Sequence, residues 1–361
     1  MRLASKRTKL PEKRTFTVIN VVVSGLGRIA WRYHLPMIQK DERFNLLAVS
    51  DPVESRRQEA AAEYPGIRTY ADFEEMLAHE PTANMAVIAS PTLFHKDQSV
   101  AALERGLNVF LEKPMCESLE AAQIVADTAR RTGGKVMLYQ PHRNWGEYLI
   151  FQKSVRQKLG RITHSRRILE FYNRRNDWQS RIDCGGGMLN NYGAHYIDQF
   201  LAAFGPGPLK VKGALMQRTV GIGDAEDLVS VLLESPSGVS GSVEINLGAA
   251  AKTDSWEVFG TLGSARYCEA DKSWVITYIE PGTLPELDMQ QTMAAQDRAY
   301  SLESNIPWKT ETLPAERWDV PSYYNYIYEY FAENKPAYVP LSESMELMRI
   351  LADCRKKATM E

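Results

Sequence analysis

The fold is decided by residues 17–30, which read TVINVVVSGLGRIA. The first part is rich in β-branched side chains, which is typical of a strand buried on both faces of a sheet. Gly25, Gly27 and Ala30 then form a GxGxxA turn that opens a helix. Gly25 permits the tight turn, Gly27 lets the backbone approach a pyrophosphate, and Ala30 lets helix and strand pack closely. Because the helix N-terminus also supplies N–H donors for an anion, this stretch predicts a dinucleotide site.

A second apolar strand, residues 46–50, ends in Asp51, which follows the glycine turn at about the 20-residue spacing typical of such sites. A carboxylate at this position accepts hydrogen bonds from the ribose hydroxyls of NAD and repels the 2′-phosphate of NADP. NAD is therefore the expected cofactor. Two alternatives stay open: Arg56 and Arg57 bind that phosphate, so that NADP is used, or Asp51 is a plain turn residue before Pro52.

Strand and helix patterns alternate as far as residue 139. We predict helices at residues 72–78, 98–105 and 119–131 and further strands at residues 85–89, 108–111 and 135–139. Such repeats indicate a parallel sheet wound on both faces, with the ligand at the carboxyl ends of its strands. The residues expected to contact the cofactor there are Gly25, Gly27, Arg28, Ile29, Asp51, Arg56, Ser90, Pro91, His95, Glu112, Lys113 and Gln140. For His95, capping of its own turn is the alternative.

Lys113 stands just after one of these strands, between Glu112 and Pro114. An ammonium near a nicotinamide and a substrate alcohol can hydrogen-bond the reacting oxygen and stabilise developing negative charge. We expect Glu112 to orient it. The alternative is a solvated lysine before a turn.

Residues 185–200 read GGGMLNNYGAHYIDQF and predict a helix entered from a flexible glycine run. Asn191, His195 and Asp198 recur at i, i+4 and i+7, so they are expected to lie on one polar stripe that faces a cleft. Apolar side chains such as Ile197 and Phe200 fall on the other side and can pack into a core. The alternative is a solvated face that carries one surface histidine.

Beyond residue 144 the pattern changes. Strands are predicted at residues 161–171, 209–216, 227–234, 238–246 and 255–259. Turn signals rather than crossover helices link them, which favours an open, largely antiparallel sheet. Residues 280–318 lack periodicity and are expected to form an excursion or interface loop. Two helices are predicted at residues 323–334 and 343–357, the second capped by Ser342.

The predicted class is therefore α/β, with a second α+β domain. The predicted divisions are an arm (1–16), an NAD-binding domain (17–144), an α+β domain (145–340) and a C-terminal helix (341–361).

Composition excludes several classes of protein. At 361 residues and 44% hydrophobic content, the chain is long enough for two domains with cores of their own. A formal net charge of −2 gives no bulk field that recruits nucleic acid or an anionic membrane, and no apolar run approaches a membrane span. Six dispersed histidines and four scattered cysteines predict no metal site and the reduced thiols of a cytoplasmic protein. The basic arm lacks the apolar segment of a secretory signal.

Three motifs together carry a family resemblance: the turn at residues 25–30, the tripeptide Glu112-Lys113-Pro114, and the glycines 185–187 leading to His195 and Asp198. With them the chain resembles, over nearly its whole length, the glucose–fructose oxidoreductase, inositol dehydrogenase and rhizopine-catabolism family of NAD(P)-dependent oxidoreductases. The resemblance implies that residues 17–144 form a Rossmann domain and that residues 145–340 form an open-faced sheet domain for substrate binding and oligomerisation. It also implies that the helix in residues 341–361 packs back on the Rossmann domain. One sheet face would line the substrate cleft, and the other would form the interface of a homo-oligomer. It also implies a cis bond between Lys113 and Pro114.

The chain departs from this family at one position. The family usually places an aspartate four residues before its histidine, where this chain has Asn191. An amide can hold a substrate hydroxyl, but it cannot take a proton or stabilise an imidazolium by charge. Of the catalytic candidates Lys113, His195 and Asn191, we therefore expect His195, assisted by Lys113, to accept the proton of a secondary alcohol as hydride leaves for nicotinamide C4. In the alternative, Lys113 is the base and His195 only positions the hydroxyl.

The substrate class is inferred from residues 171–179, FYNRRNDWQ, where aromatic rings alternate with charged and amide groups. A tryptophan can cover the C–H face of a sugar ring, and paired polar groups can bind its hydroxyls. Because the family acts largely on sugars, cyclitols and glycosides, the resemblance favours oxidation of one ring carbon of such a small molecule, with C3 as the specific hypothesis. The candidate substrate-binding residues are Lys113, Arg143, Arg174, Asp177, Trp178, Asn191 and His195. An ordinary charged loop anchored by Trp178 is the alternative.

Three functions stay open. The first is a dehydrogenase with exchangeable NAD. The second is a glycoside-cleaving enzyme in which tightly bound NAD oxidises the ring transiently, and the third is a non-catalytic NAD-binding sensor. Retention of both Lys113 and His195 argues against the sensor.

Overall fold

The computed structural model describes residues 18–284, 286, 289, 306–315 and 320–360. Within these ranges the strands form two sheets, one of six strands and one of nine. The basic arm, residues 1–16, lies outside the described residues.

The first sheet is made of short, deeply buried strands. They are β1 (Ile19–Ser24), β2 (Phe44–Ser50), β3 (Arg68–Tyr70), β4 (Met85–Ile88), β5 (Asn108–Leu111) and β6 (Val136–Leu138). Their order is β3-β2-β1-β4-β5-β6, and every neighbouring pair is parallel. The predicted doubly wound sheet is confirmed. The strand order reverses between β1 and β4, which is where such sheets bind dinucleotides.

Helices connect these strands. They are α1 (Leu35–Lys40), α2 (Glu54–Glu63), α3 (Phe73–His79), α4 (His95–Glu104) and α5 (Leu119–Thr132), and a π-helical segment, Ala30–His34, leads into α1. The carboxylate of Asp72 and the hydroxyl of Ser118 cap α3 and α5 by accepting backbone N–H groups. The sequence pattern missed β3, which has only three residues, and α2, whose composition is mostly polar.

The second sheet is larger and mixed. Its strands are β7 (Ile162–Glu170), β8 (Lys210–Gln217), β9 (Leu228–Glu234), β10 (Ser240–Asn246), β11 (Trp256–Gly260), β12 (Gly263–Cys268), β13 (Ser273–Tyr278), β14 (Lys309–Pro314) and β15 (Thr359–Met360). The order is β14-β13-β12-β11-β7-β10-β9-β8-β15. Among the strands described here, β7 with β10 and β8 with β15 are the parallel pairs. The predicted open, largely antiparallel sheet is confirmed.

The sequence interpretation did not include β12 and β13, and its loop at 280–318 is wrong at β14. That strand pairs antiparallel with β13 at the edge of the sheet. Its sequence, KTETLP, is mostly polar because an edge strand faces water, so it lacks the apolar alternation that marks a half-buried strand. Residues 285, 287, 288, 290–305 and 316–318 of this segment lie outside the described residues.

Four helices follow the first sheet: α6 (Gly146–Ile150), α7 (Ala194–Phe204), α8 (Tyr323–Phe331) and α9 (Leu341–Lys357). The proposed cap at Ser342 is wrong, because α9 already begins at Leu341 after Pro340 and has no side-chain cap. Helix α9 packs against α5 and β6 on one side and against α7 and β8 on the other. It therefore ties the two sheets together.

Helix α7 is positioned by its apolar face. The side chains of Ile197, Phe200, Leu201 and Phe204 are buried. A Cβ atom on Gly241 of β10 would lie 2.4 Å from the Phe200 ring, so only glycine allows the helix this close to the sheet. This contact holds the opposite, polar side of α7 against the carboxyl edge of the first sheet.

Candidate active site

The glycine turn after β1 has the geometry that a dinucleotide needs. Gly25 has φ +87°, and a Cβ there would lie 2.7 Å from the carbonyl oxygen of Ala89, so the turn requires glycine. A Cβ on Gly27 would instead meet nothing within 4 Å. That open space beside the start of a helix suits a pyrophosphate, so the residues present fit NAD.

Asp51 lies at the carboxyl end of β2 and is 4% exposed. Its Oδ2 accepts a hydrogen bond from the backbone N–H of Leu26 at 2.8 Å, and its Oδ1 accepts one from Val53 N at 2.9 Å. The carboxylate thus ties the glycine turn to the next strand. The guanidinium of Arg56 reaches Asp51 Oδ2 at 3.4 Å, whereas Arg57 donates to backbone carbonyl oxygens, including that of Asp51 at 2.7 Å.

The loop after β4 is held from inside the protein. The hydroxyls of Ser24 and Ser90 both donate to Oε1 of Gln98, at 2.9 and 2.7 Å. His95 is 1% exposed, and its ring nitrogens lie 2.9 Å from the carbonyl oxygen of Ser90 and 3.0 Å from that of Pro114. Pro91 is exposed beside them. The structure therefore places His95 as a buried brace between two loops of the site, a role that neither of its two interpretations included.

Lys113 follows β5, and the Lys113–Pro114 bond is cis as expected. Its Nζ donates to the backbone oxygen of Asn191 at 2.8 Å and to Asn191 Oδ1 at 3.0 Å. Glu112 does not contact the ammonium: one carboxylate oxygen pairs with His34 Nε2 at 2.9 Å and the other accepts from the backbone N–H of Lys113 at 3.2 Å. Asn191, rather than the expected Glu112, orients the lysine.

The surroundings of Lys113 favour its neutral amine over the ammonium. Burial lowers the pKa of Lys113 to about 8; the carboxylate of Glu112 opposes this, and the guanidinium groups of Arg28 and Arg175 add to it. Arg28 is exposed and makes no hydrogen bond with the described residues. Since Asn191 is neutral, no carboxylate in the described part of the chain directly contacts Nζ of Lys113.

Gln179, which the sequence analysis did not single out, extends this contact. Its Oε1 accepts from Asn191 Nδ2 at 3.0 Å, which fixes the orientation of the Asn191 amide. Asn191 lies in a π-helical segment, Leu189–Gly193, that precedes α7. The loop of residues 171–179 is thereby linked to Nζ of Lys113 through the side-chain amide of Asn191.

His195 lies on the first turn of α7 and is 5% exposed. Its Nδ1 contacts Oε1 of Gln140 at 3.0 Å. Because that oxygen can only accept, Nδ1 carries the proton and Nε2 carries the lone pair. Nε2 makes no hydrogen bond with the residues that the structure describes. Burial, with His142 and Lys113 in addition, lowers the pKa of His195 well below its usual range.

Asp198 does not join the polar stripe, contrary to expectation. It is 0% exposed and accepts two hydrogen bonds from the guanidinium of Arg143, both at 2.6 Å. The third bond of Arg143 goes to Glu343 of α9, also at 2.6 Å. Arg143 is 4% exposed, so the structure places it in a buried ion-pair network instead of the expected substrate pocket. The pair joins α7 to the turn after β6.

The loop of residues 171–179 supplies accessible groups. Trp178 is 43% exposed, and Arg174 is exposed while its Nε donates to the carbonyl oxygen of Val220 at 3.3 Å. Asp177 pairs with Arg175 at 2.6 Å and accepts from the backbone N–H of Gln179 at 2.9 Å. If Trp178 only anchored the loop by packing, its indole would be buried, whereas a platform for a sugar ring must be accessible. The exposed indole therefore favours the platform.

Trp145 lines a neighbouring cavity of about 300 Å³ together with Tyr33, Met37, Tyr139 and Tyr323.

In the described part of the chain, no group of three or more His, Cys, Asp or Glu side chains could hold a metal ion. No helix among these residues is long and apolar enough to cross a membrane. The four cysteines are unpaired.

Comparison with known protein families gives two matches. Residues 19–140 match the family described as "Oxidoreductase family, NAD-binding Rossmann fold", and residues 153–266 match the "GFO/IDH/MocA C-terminal domain". Among curated proteins, the scyllo-inositol 2-dehydrogenase (NADP(+)) IolW of Bacillus subtilis is 23% identical over 216 residues, which is 58% of this chain and 59% of the relative. The chain spans about 60% of the length of the curated relatives that it matches first.

Solved structures share the fold across almost the whole chain. An NAD-binding protein from Listeria innocua matches with a TM-score of 0.76 and 24% identity, covering 94% of each chain. The WlbA dehydrogenase from Chromobacterium violaceum, solved with NADH and UDP-GlcNAcA, matches with a TM-score of 0.76 and 20% identity, covering 97% of this chain and 96% of that one.

Proposed function

Because this chain belongs to the GFO/IDH/MocA family of NAD-binding oxidoreductases, we propose that it is a dehydrogenase of a sugar, glycoside or cyclitol. The reaction is oxidation of one secondary ring hydroxyl, with C3 as the specific carbon. The observation that carries the proposal is the meeting of Lys113 Nζ, Asn191 and His195 at the carboxyl edge of the Rossmann sheet, where His195 Nε2 has no hydrogen-bond partner among the described residues. NAD, when bound, supplies the hydride acceptor.

The bonding of Lys113 favours this residue as the proton acceptor. A neutral amine has two N–H groups, and both are used by the two oxygens of Asn191. Its lone pair is therefore free to take the proton of a substrate hydroxyl. The resulting ammonium keeps its third N–H for the new carbonyl oxygen, where it stabilises the partial negative charge of the transition state. A lysine pKa of about 8 is also well matched to proton transfer near neutral pH.

His195 is then a hydrogen-bond acceptor rather than the base. Its pKa lies well below that of Lys113, so it is the weaker proton acceptor of the two. Its Nε2 lone pair suits a second hydroxyl on the carbon next to the reacting one. This division of roles is the alternative that the sequence left open, and it requires a substrate with neighbouring hydroxyls.

The loop of residues 171–179 supports a polyhydroxylated ring. The accessible Trp178 indole can cover the C–H face of such a ring, and the guanidinium and carboxylate groups of Arg174 and Asp177 can bind its outer hydroxyls. Two relatives point the same way: IolW is named for scyllo-inositol, and WlbA was solved with a nucleotide-linked sugar acid.

The charge at Asp51 supports NAD over NADP, because its carboxylate repels a 2′-phosphate. We also propose a homo-oligomer formed through the exposed face of the nine-stranded sheet, and a cytoplasmic enzyme, which suits its four unpaired cysteines.

The test is a screen of the purified protein with NAD and then NADP against monosaccharides, inositols, sugar acids and aryl glycosides, read at the absorbance band of reduced nicotinamide. We expect one class to turn over with NAD. Lys113→Met should abolish turnover, because Met keeps the length of the side chain without the amine. NADH binding, followed by fluorescence, should survive in this variant and serves as the control for folding.

Two other outcomes would overturn the proposal. Product formed from a glycoside without net NADH, together with nicotinamide released only on denaturation, would indicate the closed redox cycle of a glycoside-cleaving enzyme. Sugar binding with no turnover in either assay would indicate a sensor.

A further inference from the structure

His142 is a buried histidine that the proposed reaction does not use. It lies in a 3₁₀ turn, Pro141–Asn144, just after the first sheet, and is 4% exposed. Its ring lies between two others: the centroid is 3.7 Å from the Trp145 ring and 3.8 Å from the His195 ring, each tilted by about 30°. Both of its ring nitrogens are buried, and neither has a hydrogen-bond partner among the described residues.

Helix α7 holds this residue at two points. His195, on the first turn of α7, contacts the His142 ring, and Gln199, four residues later, donates its Nε2 to the carbonyl oxygen of His142 at 2.6 Å. The ring and the backbone of His142 are therefore fixed to the same helix that carries His195. A buried imidazole with two unpaired nitrogens is costly, so this stack carries a desolvation penalty with no compensating hydrogen bond.

We propose that His142 is a positioning residue for His195. Stacked between Trp145 and His195, it holds the plane of the His195 ring, and it excludes the water that would otherwise solvate a protonated ring. Together with the bond from His195 Nδ1 to Gln140 Oε1, the stack leaves Nε2 as the only hydrogen-bonding atom of His195 that faces a ligand. The effect of His142 on catalysis rests on the proposed function, whereas its effect on the position and protonation of His195 does not.

The surroundings of His142 and His195 also oppose protonation of the two rings. Groups on the neighbouring elements are Lys113 after β5, Arg143 in the same turn, Glu147 on α6, Arg167 on β7, and Tyr196 and Asp198 on α7. Arg143 is neutralised by Asp198, and Arg167 donates to Glu147 at 3.2 Å. Burial, with Arg167 and Lys113 in addition, lowers the pKa of His142 well below its usual range. Two stacked imidazoles in this setting resist protonation together.

The experiment compares His142→Ala, which removes the stack, with His142→Phe, which keeps an aromatic ring of similar thickness but has no nitrogen. The first readout is the tautomer and protonation state of His195 in ¹⁵N-histidine-labelled full-length protein, followed by NMR between about pH 5.5 and 8. It requires no substrate. We expect His195 to stay neutral with its proton on Nδ1 in the wild type and to become protonated within this range in His142→Ala.

The second readout is kcat/KM across the same pH range with the substrate that the screen identifies. Because misplacing a contact group by about 1 Å can lower a rate by roughly 100-fold, we expect His142→Ala to lose at least about 10-fold. His142→Phe should recover most of that loss on the pH plateau. A structural residue with no link to His195 would change stability but not the His195 titration.

An unchanged His195 titration in His142→Ala would overturn the inference. So would kcat/KM within about twofold of wild type in the same variant. If no substrate is found at all, the proposed function fails while the NMR comparison still decides the role of His142.

Discussion

The substitution Asn191→Asp tests which group takes the proton. Nζ of Lys113 lies 3.0 Å from Asn191 Oδ1, so the variant places a carboxylate in direct contact with the amine with almost no change in shape. An opposite charge at this distance raises a lysine pKa by about 1 to 3 units. Starting from a pKa of about 8, the neutral fraction of Lys113 at pH 7.5 falls by about 8-fold for one unit and by about 75-fold for two.

If neutral Lys113 is the base, kcat/KM at pH 7.5 falls by these factors and recovers to within about twofold of wild type near pH 10. The assay is the initial rate of NADH formation from pH 6 to 10. Gln179→Glu is the graded control, because its charge lies one hydrogen bond farther from Nζ and should shift the profile less. A variant as active as wild type at pH 7.5, with its upper pH limit extended, would refute the reasoning and make His195 the base.

Three other predictions concern the cofactor site and the scaffold. Asp51→Asn keeps a hydrogen-bond acceptor but removes the charge, so the ratio of kcat/KM for NADP to that for NAD should rise by roughly 10-fold; an unchanged ratio would contradict the role given to this carboxylate. Gly27→Ala should weaken NADH binding, measured by fluorescence titration, by at least about 10-fold while the urea midpoint stays unchanged, because its Cβ meets nothing within 4 Å in the free protein. Asp198→Asn removes the buried counter-ion of Arg143 and leaves it the partly exposed carboxylate of Glu343, so it should lower the free energy of unfolding by about 3 kcal/mol in urea. The exposed Asp183→Asn is its control and should change little, and equal effects of the two would contradict the buried ion pair.

Most of the fold was predictable because its signals are local. The strand, glycine turn and helix at residues 17–30 and the alternating elements up to residue 139 follow from spacing and side-chain type alone. The same holds for the position of Lys113 after β5 and of His195 on α7. The edge strand β14 was not predicted, because its polar side chains give no alternating pattern.

The partners inside the site were not predictable in this way, because they join distant parts of the chain. Arg143 and Asp198 are 55 positions apart, as are Gln140 and His195. Arg143, which was expected to contact the substrate, forms a buried ion pair with Asp198. Gln140 sets the tautomer of His195. His142 gave no periodic signal, because its contacts with the Trp145 and His195 rings exist only in the folded chain.

Isotope transfer can show whether hydride passes from a ring carbon to NAD. The protein would be incubated with NAD and the substrate that the screen identifies, deuterated at C3, and the reduced cofactor would be analysed by mass spectrometry. We expect reduced nicotinamide that carries one deuterium, and no transfer in Lys113→Met. Reduced cofactor without the label would move the reaction to another carbon, and labelled product without any reduced cofactor would contradict the dehydrogenase altogether.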